Sequence, residues 1–404
     1  MLLLDCNDAS LRLWRDQQDT WSPGFAWFSE GRYQFGEVAW QQARRVPREV
    51  NNRYWHRLST QALSPALGPA RHTADLAHEH LETLLNGVSG ELTLIIPGSM
   101  EADQLSLLLG ILQTLPVTVS SVVHRSALAG AAAGQSCAHV ELQLHQASIT
   151  PVFVEHTLAR AGETQLLPGH GLLGLMDEIA ELIGQQFVAQ TRFDPQRRAD
   201  TEQRLYQQIP DLLRSLATQS EVNCTLDGHA ARISADILQS VGAAFSKALS
   251  PLIHHDVTHI ALDALLSVLP GLNLPHPAST ISADALPRIA SAMPAQDGEL
   301  TFQREAPCDD TLPAADASSK AATVSHESLS FSVTHQLVAG HATPLASGAS
   351  LAAGVVISGQ SEITIQPNAQ AQLNDRAAEG VMMLKAGDRL SVSGIEIQFI
   401  TVEP

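Results

Sequence analysis

The chain has 404 residues, of which 44% are hydrophobic and 16% charged, and this composition indicates a globular protein of two or three domains. Its formal charge of -18 argues against a nucleic-acid partner, because an acidic surface repels phosphate. Four scattered cysteines indicate a reducing compartment, and the lack of a long apolar run or a basic leader predicts a cytoplasmic protein without membrane insertion.

The first residues predict a strand, a tight turn and a second strand. Leu2–Leu4 is an apolar run that ends in Asp5, a short polar segment follows, and apolar alternation resumes at Leu11. Glycine-containing turns follow, so residues 2–35 are predicted to form an antiparallel meander.

Helix and strand patterns then alternate up to residue 135. Helices are predicted over about 37–45, 73–85, 101–112 and 126–133, and strands over 92–96 and 117–123. Ser99 follows Pro97-Gly98 and is predicted to cap the helix that begins at Glu101. A nucleophile role is the weaker interpretation, because the second glycine of a G-x-S-x-G turn is missing.

The middle of the chain repeats the opening hairpin. Strands are predicted over 138–144 and 149–155, and Glu141 occupies the place that Asp5 has in the first hairpin. A third strand over 159–166, further helices and a strand over 259–262 follow. Two such hairpins predict a duplicated α/β domain with a cleft between its halves, residues 1–135 and 136–300.

The C-terminal part of the chain has a different composition. Residues 301–327 are predicted to be a linker, because they are rich in Ala, Ser, Asp and Pro and show no periodicity. Short alternating runs separated by glycine-rich turns then predict a small all-β sandwich domain over residues 328–404.

Several stretches occur in a characteristic order within the first 295 residues. They are Phe35–Ala39 with Pro47 and Arg57-Leu58, Leu94–Gly98, Ser126–Gly134, Phe193–Pro195 with Glu202–Tyr206, and Leu265–Leu272. Together they resemble the nucleotide-binding domain of the heat-shock chaperone branch of the actin-like ATPase superfamily, in a divergent bacterial form. The resemblance implies two lobes, each a five-stranded sheet with helices, that close over ATP and magnesium.

The chain departs from that family where the nucleotide would bind. The family's phosphate loops read Asp-x-Gly-Thr and Asp-x-Gly-Gly-Gly-Thr, whereas this chain has Asp5-Cys6-Asn7-Asp8 and Glu141-Leu142-Gln143-Leu144-His145-Gln146. Glycines are needed there because the backbone must approach the phosphates closely. The adenosine motif Gly-Gly corresponds to Ala264-Leu265, and the catalytic lysine falls near Trp55 or His56. The candidate cofactor-binding positions are therefore those of degenerate loops: Asp5, Asn7, Glu141, Gln143, Ala264 and Leu265.

These departures predict a pseudo-ATPase that acts as a scaffold or adaptor for an unidentified protein partner in a cytoplasmic assembly. No catalytic residue or metal ligand is assigned, and no cofactor is expected. Two alternatives remain: an active chaperone-like ATPase that uses ATP and magnesium, and an actin-like docking component of a pilus or secretion machine. Asp5 and Glu141 either serve a metal and water, as in an active relative, or only cap their turns.

Three further clusters attract attention. His72, His78 and His80, with Asp75 and Glu79, are predicted to lie on a solvated helix face rather than to bind a metal, since no H-E-x-x-H spacing exists. His254-His255-Asp256 with His259 receives the same interpretation. The basic, aromatic segment Arg53–Arg57 is either a surface edge or a partner-binding site.

Overall fold

The computed structural model describes residues 2–15, 18–282, 284–293, 296 and 300–308, and in the C-terminal part residues 335–338, 341–344, 350–352, 355–359, 362–366, 371–374, 376–378, 380–384, 388–392 and 395–400. These residues have a mixed α/β structure. The chain divides into two compact units, Met1–Ser318 and Ser319–Pro404. Residues 309–327 of the predicted linker lie outside the described part. Among the described residues, no helix has both the length and the apolar character that a bilayer span requires.

The first unit begins with β1 (Leu2–Asp5), β2 (Arg12–Arg15), β3 (Gln18–Trp21), β4 (Ala26–Ser29), β5 (Arg32–Phe35), α1 (Glu37–Trp40), β6 (Val50–Asn51), β7 (Ala62–Leu67), β8 (Ala70–His72), α2 (Thr73–Leu84), β9 (Gly90–Ile96), α3 (Ala102–Leu112), β10 (Val117–His124) and α4 (Arg125–Ala133). It continues with β11 (Cys137–Leu142), β12 (Gln146–Glu155), β13 (Leu158–Ala161), β14 (Gln165–Pro168), α5 (Leu172–Thr191), α6 (Ala199–Leu216), β15 (Glu221–Leu226), β16 (His229–Ser234), α7 (Ala235–Leu249), β17 (Ile260–Leu262), β18 (Ala278–Thr280), α8 (Ala285–Ala292), β19 (Phe302–Gln303) and β20 (Glu305–Pro307).

Two large sheets repeat one arrangement of strands. Sheet A has the order β19-β10-β9-β1-β2-β3, and sheet B has the order β18-β17-β11-β12-β13-β20, with β14 also paired to β12. In each sheet an antiparallel meander of three strands comes first, and two parallel strands are then added beside its first strand. The repeat follows from the two hairpins of the sequence, because each opens a sheet with the same meander.

Two predicted elements differ from the structure. The helix predicted over 37–45 ends at Trp40, and the Arg44 amide donates to the Gln203 side chain instead of continuing the helix. The strand predicted over 159–166 is two strands, β13 and β14, which pair with different halves of β12. In the first case a contact with a distant part of the chain replaces the helix, and in the second a break after Ala161 lets each piece pair with its own part of the neighbouring β12.

The central strands are buried on both faces. Leu2 and Leu4 of β1 face a core formed with α2 and α3, whereas Leu3 faces a second core that includes residues of both sheets, α4 and α8. Alanines line α4, and a Cβ on Gly130 would overlap Val152 of β12, so this helix packs closely on sheet B as its small residues predict.

The chain segment after α8 adds a strand to each sheet. Phe302–Gln303 pairs in parallel with β10 of sheet A, and Glu305–Pro307 pairs antiparallel with β13 of sheet B. We call residues 302–307 the strap. The sequence places these residues in a linker, because two- and three-residue strands are too short to produce a recognisable alternation.

The second unit, in its described residues, is all β. One sheet has β21 (His335–Val338), β22 (His341–Pro344), β26 (Ala371–Leu373), β27 (Arg376–Ala377), β29 (Arg389–Val392) and β30 (Ile395–Ile400), and the other has β23 (Ser350–Ala352), β24 (Val355–Gly359), β25 (Glu362–Ile365) and β28 (Gly380–Met383). Buried apolar residues of both sheets form one core.

Candidate functional site

Three carboxylates meet where strands of sheets A and B end. Asp5 is the last residue of β1, Glu141 lies next to the end of β11, and Asp263 directly follows β17. Asp5 and Glu141 are nearly inaccessible, at 3% and 1% exposure. Ionised carboxylates at such depth require a compensating charge.

Arg125 supplies that charge. It is the first residue of α4, directly after β10, and its side chain is 7% exposed. Its Nε lies 3.0 Å from Asp5 Oδ2, and its Nη1 lies 2.9 Å from Asp263 Oδ1 and 3.8 Å from Glu141 Oε1. The planar guanidinium has the donors to serve several carboxylates at once, so it holds the three strand ends together.

The three carboxyl groups of this cluster differ in pKa, and therefore in how readily each one ionises. Burial raises the pKa of Glu141 to about 8, despite the nearby Arg125, and burial also raises the pKa of Asp5. Burial acts in the same direction on Asp263, but Arg125, His139 and the Leu142 amide outweigh it and lower the pKa of that carboxyl. At neutral pH the principal ion pair is therefore Arg125 with Asp263, and Glu141 holds its proton.

The two hairpin loops bind each other. Asn7 Nδ2 donates to Glu141 Oε1 at 2.9 Å and to the Leu142 carbonyl at 3.1 Å. In return, the Leu144 amide donates to Asp8 Oδ1 at 2.8 Å. All four predicted loop positions of the hairpins, Asp5, Asn7, Glu141 and Gln143, are buried here. The Asn7 side-chain amide and the Leu144 backbone amide, which could donate to a phosphate, thus donate to protein oxygens instead.

Gln143 joins the second hairpin loop to two neighbours. Its Oε1 accepts hydrogen bonds from Ser99 Oγ at 2.8 Å and from Gln146 Nε2 at 3.0 Å. The prediction that Ser99 caps α3 is wrong, because the N-cap is Glu101, two residues later, which forms a capping box with Gln104. The N-terminal amides of α5 are also occupied: Leu172 donates to the Gln143 carbonyl and Leu173 to the Leu144 carbonyl.

Ala264 and Leu265 line a cavity of about 600 Å³ together with Asp5, Arg125 and Asp263. Leu265 packs against the core of sheet B and its helices. Much of the remaining lining is apolar, with Trp14, Trp21, Phe25, Trp40, Leu144, Leu172, Leu173 and Met176 among its residues. This apolar cavity is where the resemblance places a nucleotide, but its one fully buried cation, Arg125, is already paired.

The positions near the expected lysine carry no free amine. Trp55 is buried and its Nε1 donates to His80 Nδ1 at 3.2 Å. The prediction of a solvated face is wrong for His80, which is fully buried, hydrogen-bonds Ser22 and Tyr54, and has its pKa lowered by burial to about 3. A buried neutral histidine with its ring nitrogens occupied is a core residue and not a metal ligand.

The other histidine clusters are at the surface. His78 lies near Glu79 and Glu82, and the ligand atoms of His254, His255 and Asp256 also lie within 4.8 Å of one another. His259 is separate, because its Nε2 bonds Ser279 Oγ. Exposed groups at this spacing have several alternative partners and no fixed geometry.

Arg125 and Asp263 are the functional residues that the sequence prediction lacks. Asp263 carries a recognisable signal, since it follows a short apolar strand as the acids of the two hairpins do. Arg125 carries none, because a helix-terminal arginine after a strand is ordinarily solvated.

No protein-family model matches the chain, and no curated protein sequence matches it either.

Proposed function

We propose that the first unit is an actin-like, two-lobed fold of the heat-shock-chaperone kind that has lost ATP turnover and serves as a scaffold or adaptor in a cytoplasmic assembly. The repeated strand order of sheets A and B supports the duplicated fold. The first lobe would be sheet A with its helices, and the second would be sheet B with its own.

The single observation that carries the loss of turnover is the position of Arg125. In an ATPase of this kind, the strand-end acids face magnesium and its water. Here the guanidinium lies within 3.0 Å of Asp5 and 3.8 Å of Glu141, with Asp263 as its third partner. A divalent cation at the same place would be repelled by the arginine, which already binds one oxygen of Asp5 and both oxygens of Asp263.

The loop contacts support the same proposal. Phosphate loops bind their ligand through free backbone amides. In this chain the Leu144 amide is bonded to Asp8, and the first amides of α5 are bonded to loop carbonyls. A triphosphate would have to break these bonds and bring its charge close to Asp8.

Contacts between the lobes favour a fixed body over a hinge. Arg44 forms ion pairs with Asp177 and Glu202, and its guanidinium lies 3.8 Å from the centroid of the Tyr206 ring. The strap adds a strand to both sheets. Turnover in a two-lobed ATPase requires opening and closing, whereas a scaffold benefits from rigidity.

Sheet A also offers a surface for a partner. Its outermost strand β3 pairs with β2, has four exposed residues and has no second neighbour among the described strands. Trp21 at its end and Val38 of α1 are exposed large apolar residues. Exposed strand edges beside apolar side chains are where extended peptides add to a sheet.

Calorimetry with magnesium-ATP and a phosphate-release assay test the loss of turnover. We expect neither binding heat at micromolar nucleotide nor release of phosphate. Micromolar binding, together with turnover that disappears in Asp5→Ala, would show an active ATPase instead. Light scattering at increasing protein concentration separates the docking alternative, since ordered polymers would favour an actin-like assembly component.

A further inference from the structure

A second cavity lies on the other side of the residues that close the cleft. Phe25, Trp40, Leu144 and Leu173 line both this cavity and the apolar cavity described above, and therefore form a wall between them. The second cavity has a volume of about 800 Å³. We call it the basic pocket, because Arg44, Arg53, His56 and His145 are among its lining residues.

One end of the basic pocket carries positive charge without a protein counter-ion. Arg53 is exposed and forms no ion pair with any described carboxylate. His56 stands beside His145, with ring centroids 5.4 Å apart. Burial lowers the pKa of both histidines, and the neighbouring arginines, Arg53 and Arg57, lower it further. Both rings therefore favour the neutral form, and Arg53 is the lining cation that has no ion-pair partner among the described residues.

The acidic residues of the pocket do not fill that role. Asp177 and Glu202 line it too, but both pair with Arg44. Asp177 also accepts a hydrogen bond from the Tyr206 hydroxyl. The pocket is thus polarised, with its own ion pairs at one end and the unpaired Arg53 beside two neutral histidines at the other.

The polar groups at the cationic end are held in place by the backbone. His145 Nε2 donates to the Asn52 carbonyl at 2.9 Å, which fixes the ring and leaves Nδ1 as its second polar atom. His56 is half-buried against it. Because neutral His145 gives its Nε2 hydrogen to the Asn52 carbonyl, the donors left for an anion are Arg53 and His56. A donor that is held in place binds an anion with little loss of conformational freedom.

We propose that the basic pocket binds a small organic oxyanion, whose phosphate or carboxylate group lies against Arg53 and His56 and whose carbon body lies on the wall of Phe25, Trp40 and Leu173. The volume is within the range of small-molecule sites, roughly 300–1,000 Å³. The aromatic and aliphatic wall provides the burial that a purely inorganic anion could not use. This site is separate from the pseudo-ATPase cleft, and its existence does not depend on whether that cleft binds nucleotide.

Calorimetry and saturation-transfer NMR on the full chain test the site with phenyl phosphate, benzoate, inorganic phosphate and the neutral benzyl alcohol. We expect saturable binding of phenyl phosphate or benzoate, and the stronger of the two identifies the head group. Inorganic phosphate should bind more weakly, because it lacks the carbon body. Benzyl alcohol should bind more weakly as well, because it lacks the charge.

Variants assign the binding to these residues. Arg53→Ala should weaken the better probe about tenfold or more, in line with the loss of a charge-assisted hydrogen bond, and Arg53→Lys should restore part of the affinity. Arg32→Ala removes an exposed arginine outside the pocket and should leave the affinity unchanged. The proposal is overturned if neither oxyanion binds at millimolar concentration, if benzyl alcohol binds equally well, or if Arg53→Ala has no effect. Because Arg53 is exposed, its loss should not unfold the protein, and His56→Gln provides an independent second variant.

Discussion

Asn7 and Glu141 are 134 residues apart in the chain, and a hydrogen bond of 2.9 Å from Asn7 Nδ2 to Glu141 Oε1 joins them in the centre of the first unit. The amide serves as a neutral donor to a carboxyl group whose pKa is raised to about 8 by burial. A second hydrogen bond runs in the opposite direction, from the Leu144 amide to Asp8 Oδ1. Each hairpin loop is therefore the ligand of the other, and the closed arrangement requires no third molecule.

Arg125→Ala should destabilise the first unit by about 3–5 kcal/mol, because it leaves buried carboxylates without their cation. Urea denaturation at neutral pH measures the loss. The same variant should gain stability from millimolar magnesium or calcium, since Asp5, Asp263 and Glu141 converge on the vacated centre and a hard cation bound there would displace the Glu141 proton. The wild-type protein should show no such gain.

Arg232→Ala is the control for this experiment. It removes an exposed ion pair with Glu221, at 3.6 Å, and should change the stability by less than about 1 kcal/mol. If Arg125→Ala were as stable as this control, the carboxylate cluster would not depend on its arginine, and the main support for the pseudo-ATPase proposal would be lost.

The sequence predicts the hairpins and their acids because these depend on local signals. An apolar run, an acid and a polar turn are visible within ten residues, and the repeat of that pattern brings Asp5, Asn7, Glu141 and Gln143 to one place. The helix predicted over 126–133 lies within the observed α4. Both features depend on short apolar patterns, and such patterns are readable from the chain alone.

The lining of the site was not predictable in the same way. Whether Arg125 points to solvent or into the cluster depends on the position of sheet B, which lies later in the chain. The burial of His80 is unpredictable for a related reason, because its partners Ser22, Tyr54 and Trp55 come from two other segments of the chain. The strap was missed because its pairing partners, rather than its own residues, make it a strand.

Asp8→Asn should raise the stability of the protein at pH 8 but not at pH 4. Burial raises the pKa of Asp8 from 3.8 to about 6, so the folded state holds this proton more tightly than the unfolded state does. The stability gained from this tighter proton binding is fully present below about pH 4 and is lost as the pH rises through about 6. The loss in the free energy of unfolding amounts to about 3 kcal/mol. Asparagine avoids the loss and can still accept the Leu144 hydrogen bond.

Denaturation curves at pH 4, 6 and 8 measure this effect for Asp8→Asn. Glu163→Gln, at an exposed position, serves as the matched control and should follow the wild-type pH dependence. A constant difference between Asp8→Asn and wild type at all three pH values would mean that Asp8 does not ionise with the pKa assigned to it.

Arg44→Ala should loosen the contact between α1 and the helices of sheet B. The side chain contributes ion pairs with Asp177 and Glu202 and a cation–π contact with Tyr206, together worth about 1–2 kcal/mol. Hydrogen exchange of residues 37–50 should become faster by about tenfold, while the central strands keep their protection. Arg48→Ala, an exposed change in the same segment, should leave exchange unaltered; an equal acceleration in both variants would contradict a specific role for Arg44.

Two glycine-to-alanine substitutions should change stability in opposite directions. A Cβ on Gly171, at the start of α5, would overlap the backbone of residues 144–146, which is the second hairpin loop. Gly171→Ala should therefore cost about 1–3 kcal/mol and speed exchange of the Leu172 and Leu173 amides, whose acceptors lie in that loop. Gly110 of α3 has open space around its Cβ position, so Gly110→Ala should stabilise the protein by about 0.5–1 kcal/mol through helix propensity. A neutral Gly171→Ala would show that the loop can retreat from α5, and the docking of the two hairpins would then be looser than the hydrogen bonds of Asn7 and Asp8 imply.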